Sequence, residues 1–202
     1  RRANIVDLCS GFGYLGMFLA EMLDPKKVQN VILVDKQWPM FNQAAPLPHQ
    51  INWDHIYGTA AVDGWKPDWP IRIFTRKVNI KEAAQLRQME KHVFQKHAGP
   101  YVILAVHLCG TLSIKAVEMF NHHSTAATLC LKPCCLPEWQ HVFTHDEWTV
   151  GGHRIPTREV CAKGKWKANR WIGPPRSHLR GKFSAWADHL CAAIDVSDAE
   201  KR

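Results

Sequence analysis

The glycines at positions 11, 13 and 16 are the first residues in this chain whose spacing points to chemistry. Gly11-Phe12-Gly13-Tyr14-Leu15-Gly16 fits G-x-G-x-x-G, and Asp35 lies 24 residues after Gly11. Glycines let the backbone approach a ligand closely, and an acid ending the next strand can accept two ribose hydroxyls. The chemistry implied is the binding of a nucleotide-like cofactor. A bare helix-start turn with no ligand uses the same glycines, so the reading depends on a strand before them and a helix after.

Two further clusters hold groups able to do chemistry. His107-Leu108-Cys109-Gly110 and Lys132-Pro133-Cys134-Cys135 each follow an apolar run. An imidazole with a pKa near 6.5 suits proton transfer, which makes His107 the candidate catalytic base. Cys109, Lys132, Cys134 and Cys135 are candidates for contact with the substrate. The structural alternatives are a hydrogen-bonded histidine and small buried cysteines.

Elements that could position these residues are visible in the periodicity. Residues 4–8 read as a buried strand, and the glycine turn follows. Leu15, Phe18, Leu19, Met22 and Leu23 then fall on one helical face. Val31 to Val34 form a second strand closed by Asp35, completing a βαβ unit. Residues 36–70, with five prolines and four tryptophans, read as loop and short helix. Strands are expected at 71–75, 102–106 and 127–131, with helices over 80–97, from 112, and from 183. Alternation of this kind implies a parallel sheet covered on both faces by helices, and the strand order expected for it is 3-2-1-4-5. The whole chain, 1–202, is expected to be one domain carrying a basic, loop-rich segment at 154–182.

Composition and charge narrow the classes. Hydrophobic residues make up 46% of the chain and charged residues 22%, which excludes wholesale disorder. The longest apolar runs fall far short of the roughly 20 residues of a membrane span, so no membrane association is expected. Arg1-Arg2 leads straight into a strand, which reads as a piece of a longer chain. The seven cysteines are odd in number and contain no C-x-x-C pair, so reduced thiols in a cytoplasmic or nuclear setting are expected, and no metal. Between Arg154 and Lys182 nine Lys or Arg face one acid, Glu159, and this segment carries the whole net charge of +8. Lys163, Lys165, Lys167 and Arg170 interleave with Trp166 and Trp171, with Arg176 beyond. Cations contact phosphates and aromatic rings stack on unpaired bases, so RNA is the expected partner. A solvated basic loop is the plain alternative.

Asp7-Leu8-Cys9-Ser10-Gly11-Phe12-Gly13 resembles motif I of the class I S-adenosylmethionine (SAM) methyltransferases, D/E-x-G-x-G-x-G, with Cys9 replacing the first glycine. Dinucleotide sites differ in that the glycine run follows an apolar strand directly. The resemblance implies a Rossmann-like fold and SAM as cofactor. It places Asp7 near the methionine part and Asp35 on the ribose. Cys9, Ser10, Gly11, Gly13, Tyr14 and Lys36 lie along the same cradle, and Asn79 and Ile80 lie near the adenine. In that family a sixth and an antiparallel seventh strand complete the sheet. Here one or both are expected to be missing, or rebuilt from residues 148–163.

H-L-C-G after strand four and C-C after strand five, with Trp139 beyond, are similar to the eukaryotic tRNA acceptor-stem 2′-O-methyltransferases and the related methyltransferase 25-like proteins. The resemblance implies methyl transfer to RNA of the tRNA type, with a ribose 2′-hydroxyl as acceptor. The sequence does not give the oligomeric state, and a monomer is the favoured expectation. The sequence departs from that pattern at Thr111-Leu112-Ser113-Ile114, where those enzymes carry an acid. It also departs at Asn79, where Asp is usual, and at Leu136-Pro137. The alternatives are a small-molecule or protein methyltransferase, and an inactive RNA-binding module.

Overall fold

β-branched and aliphatic residues dominate the segments that become the central strands. The computed structural model describes residues 1–40, 46–58, 67–168 and 170–195, with the side chains of 165 and 166 outside that description. Strands β1 (Ala3–Leu8), β2 (Val28–Asp35), β3 (Arg72–Lys77), β4 (Tyr101–Val106) and β5 (Ala126–Lys132) form one sheet in the order β3-β2-β1-β4-β5. The β1–β2, β1–β4 and β2–β3 pairs are all parallel. This is the Rossmann-like α/β arrangement, with the sheet order read from the sequence. The chain packs as two compact units, residues 1–106 with 123–130, and residues 107–122 with 131–202.

The first unit is built on β2, whose Val31, Ile32, Leu33 and Val34 are almost wholly buried. Helix α1 (Tyr14–Met22) lies against this strand. Its buried positions are Gly16 and Ala20, not the expected stripe, because a Cβ on Gly16 would overlap the Leu33 side chain. Small residues permit that close approach, and Leu19 and Leu23 pack beside them. Leu15, Phe18 and Met22 are 37%, 60% and 65% exposed. The expectation of a core face through Leu15, Phe18 and Met22 is therefore corrected. A short helix α2 (Asp54–Tyr57) adds the buried Ile56. Helix α3 (Ala83–Met89) starts three residues later than expected, because Asn79 forms a turn that accepts the Lys81 N–H. It continues as a π-helical turn over Glu90–Phe94. The Tyr101 hydroxyl donates within reach of the carbonyls of Val93 (2.7 Å) and His97 (2.9 Å) at the end of that turn.

Strand β5 corrects another expectation. It is the sheet edge, and Ala127, Thr128, Cys130 and Lys132 are exposed instead of covered.

The second unit contains α4 (Leu112–His122), β6 (Glu147–Val150), β7 (His153–Pro156), α5 (Thr157–Val160), β8 (Lys165–Lys167), β9 (Arg170–Ile172) and α6 (Arg180–Ala192). Residues 148–163 do not rebuild strands of the main sheet. β6 and β7 pair antiparallel with each other, because Gly151 and Gly152, at φ 54° and 76°, close a two-residue turn that demands positive φ twice. The basic segment is more ordered than a loop, since β8 and β9 form a second hairpin. Trp186 and Leu190 anchor α6, with Trp186 edge-on to Trp148.

Candidate functional site

The end of β1, the glycine turn and the end of β2 bring together the first group of candidates. The Asp35 carboxylate accepts the Gly11 N–H at 3.1 Å and the Gln37 N–H at 2.8 Å. One donor comes from the glycine turn and the other from the residues just after β2. The Ser10 N–H donates to Val34 O at 3.1 Å, fastening the turn to β2. Gly11 and Gly13 have φ of 55° and 81°, and a Cβ on Gly11 would meet nothing within 4 Å, leaving open space over the turn. Gly13 caps α1, where a Cβ would overlap Leu33.

Electrostatics mark this turn as incomplete on its own. Asp7 is 3% exposed, and its Oδ2 has no hydrogen-bond partner. Burial, then the Asp35 carboxylate, push its pKa from 3.8 up to about 7. The Ser10 Oγ is likewise buried without a partner. Buried polar atoms are normally satisfied, so orphans lining a turn are where a ligand's polar groups belong. Cys9, which stands where the motif has glycine, takes φ 55° and the left-handed conformation. A side chain there stores backbone strain, of the kind concentrated at functional sites. Burial also pushes the Cys9 thiol up to about 11.

Aromatic rings surround the turn, and sequence reasoning missed two of them. The His55 Nε2 lies 2.7 Å from Phe12 O. Its ring sits 5.8 Å from Tyr14, 6.0 Å from Phe12 and 6.4 Å from the fully buried Trp38. Phe12 and Tyr14 stack on each other and are both largely exposed. The sole sequence signal was the density of tryptophans in 36–70. Lys36 is exposed. The Asn79 amide donates to Glu82 at 2.7 Å, and its own N–H donates to Gln85. Ile80 is 2% exposed and belongs to the core.

The second unit carries the other group of candidates. His107 is exposed, at φ 62°, and its N–H donates to Lys132 O at 3.1 Å. The Gly110 N–H donates to Cys135 O at 3.1 Å. Two backbone bonds therefore join the His107 loop to the Lys132 loop. They bring Cys109, Cys134 and Cys135 together, with Sγ atoms within 4.8 Å of one another. Lys132 is exposed.

The basic segment is partly engaged within its own unit. Lys163 and Lys182 both lie over the Trp139 ring, at 5.2 Å and 5.8 Å. Lys182 also donates to Arg158 O and Glu159 O, and Arg154 forms a forked pair with Glu147. The Trp171 indole donates to Pro174 O at 2.7 Å, with its ring against Gly164. Lys167, Arg170 and Arg176 are exposed. The candidates Lys165 and Trp166 have side chains outside the described residues. Among the described residues no helix is long and apolar enough to cross a membrane.

Comparison with known proteins adds a family. Residues 1–141 match the model of a family described as a methyltransferase domain. No curated protein and no solved structure matches the chain significantly.

Proposed function

The chain belongs to the methyltransferase-domain family, and from that premise we propose that it methylates RNA of the tRNA type, using SAM. The observation carrying the cofactor is the orphaned, buried Asp7 carboxylate beside a glycine turn that Asp35 organises. SAM bears an ammonium and a sulfonium, and a cation beside Asp7 offsets the burial that now favours its neutral form. Asp35 keeps lone pairs free after accepting two N–H groups, enough for ribose hydroxyls. Cys9, Ser10, Gly11, Gly13 and Tyr14 supply the rest of the cradle, with Asn79 and the backbone of Ile80, whose side chain lies in the core, on the adenine side. When bound, the cofactor supplies a methyl group on a positively charged sulfur.

The chain's own residues would then handle the acceptor. His107 takes the proton of the ribose 2′-hydroxyl as that oxygen becomes the nucleophile. Its place just past the carboxyl end of β4 supports this role, since ligands of open α/β sheets bind beyond the carboxyl ends of the strands. Exposed Lys167, Arg170 and Arg176 contact phosphates, and a neutral remainder of the chain makes the basic segment the surface RNA would meet.

One observation favours a different acceptor. Lys163, Lys182, Arg154 and Trp171 are already engaged inside their unit, which leaves fewer groups for phosphates and bases. An acidic protein segment or small molecule needs fewer. Tritiated SAM offered separately with total RNA, total protein and a metabolite extract decides between them. Label entering RNA, in nuclease-resistant dinucleotides, supports ribose methylation. Label entering only protein or metabolites overturns the RNA reading. No label in any pool, with SAM bound, points to an inactive binding module.

A further inference from the structure

Three of the seven cysteines converge although no sequence spacing announces it. Cys109 Sγ lies 3.0 Å from Cys134 Sγ and 3.5 Å from Cys135 Sγ, and the latter two are 3.6 Å apart. Cys109 is exposed and the other two half-buried, so the triangle is open to solvent. It is set by the backbone, through the Gly110 N–H to Cys135 O and His107 N–H to Lys132 O bonds. A zinc ion bound by thiolates at about 2.3 Å in a tetrahedron spaces its sulfurs about 3.8 Å apart. Each edge of the triangle reaches that spacing by opening less than about 1 Å.

We propose that Cys109, Cys134 and Cys135 bind one Zn²⁺ ion through three thiolates, leaving its fourth position to water or an exogenous donor. Thiolates select zinc over magnesium or calcium. Among the described residues no fourth Cys, His, Asp or Glu joins the group, which is the pattern of an open site and not of a closed structural one. A disulfide is the competing use of these sulfurs, but it joins two and strands the third, and the neighbours Cys134 and Cys135 cannot bridge without strain. Without a cation, burial, and with it the Cys134 thiol, pushes the Cys109 and Cys135 thiols up. A bound cation reverses that balance. Three thiolates on Zn²⁺ leave one negative charge, and Arg176, which favours the Cys135 thiolate, supplies a compensating field. The site is independent of whether the acceptor is RNA.

The test uses the full chain, reduced, stripped of metal and titrated with Co²⁺ as a spectroscopic probe and then Zn²⁺. One equivalent should produce a thiolate-to-cobalt charge-transfer band that Zn²⁺ abolishes. Cys109→Ser, Cys134→Ser and Cys135→Ser should each weaken Zn²⁺ binding at least tenfold, while Cys130→Ser and Cys191→Ser should leave it unchanged. Alkylation of the unmutated chain covers the case where a variant fails to fold. Zn²⁺ should protect Cys109, Cys134 and Cys135 from iodoacetamide and leave Cys130 and Cys191 reactive. Absence of a stoichiometric cobalt band, or protection that spares these three, overturns the site. So does recovery of a Cys109–Cys134 disulfide from a chain that binds no zinc once reduced.

Discussion

The substitution Asp7→Asn removes a charge that the fold holds at a cost, so the variant should be more stable than the parent at alkaline pH. The Asp7 pKa rises from 3.8 to about 7 in the folded chain. That difference corresponds to about 4 kcal/mol, at about 1.4 kcal/mol per unit. The folded chain therefore binds the Asp7 proton more tightly than the unfolded chain does. Below about pH 4 both forms are protonated and the residue carries no penalty. Stability then declines as pH rises through the window from about 4 to 7, and above it the penalty is complete. The amide of the variant cannot ionise, although it meets the same lack of partners that leaves Oδ2 orphaned in the parent. The gain at pH 8 should thus be about 2–4 kcal/mol, shrinking to near zero or reversing at pH 4. Urea denaturation of both proteins at pH 4, 6 and 8 measures it, and the difference between them cancels every other titrating group. Parallel stability curves across that range would refute the claim that Asp7 is a buried, uncompensated carboxylate. Binding of a ligand that brings an ammonium to Asp7 should release a proton near pH 6, read as a dependence of binding heat on the buffer's ionisation enthalpy.

Cys9→Gly should stabilise the chain by about 1 kcal/mol in the same denaturation assay, because the left-handed φ of 55° costs a side chain and not a glycine. Asp35→Ala strips the acceptor from the Gly11 and Gln37 N–H groups. It should weaken SAM binding at least tenfold by calorimetry. His107→Ala should reduce the methylation rate by roughly 10²–10⁴ and leave SAM affinity within a fewfold; full activity would return His107 to a structural role. Lys167→Gln with Arg170→Gln should weaken RNA binding alike for all sequences, and should flatten the salt dependence by about 0.7 per lost contact on single strands.

The sheet was legible because its signals are local. Apolar runs, glycine turns and a terminal acid on the second strand suffice to locate five strands, and the order expected of them is the one observed. What escaped depends on distance between elements. Periodicity marks Leu15, Phe18 and Met22 as a face, but it cannot tell that Gly16 and Ala20 let the helix sit closer to β2 and so claim burial instead. His55 and Trp38 reach the glycine turn only through the fold of an irregular segment. Cys109, Cys134 and Cys135 were marked as candidates in two separate motifs, but their meeting depends on how two loops 25 residues apart in sequence are bonded together. The left-handed backbone of Cys9 was marked only by the glycine it replaces in the motif, and that of His107 only by histidine's mild preference for the region.

The two backbone bonds between the loops, His107 N–H to Lys132 O and Gly110 N–H to Cys135 O, make the imidazole and the thiols one kinetic object. The His107 loop supplies both donors and the Lys132 loop both carbonyls, so neither can fray without unpairing the other. Amide hydrogen exchange at positions 107 and 110 should then show matching protection factors, governed by a single opening free energy. A condition that changes how long this pair stays closed, a bound ion among them, changes in equal measure how long the candidate base and its neighbouring sulfurs are held in register.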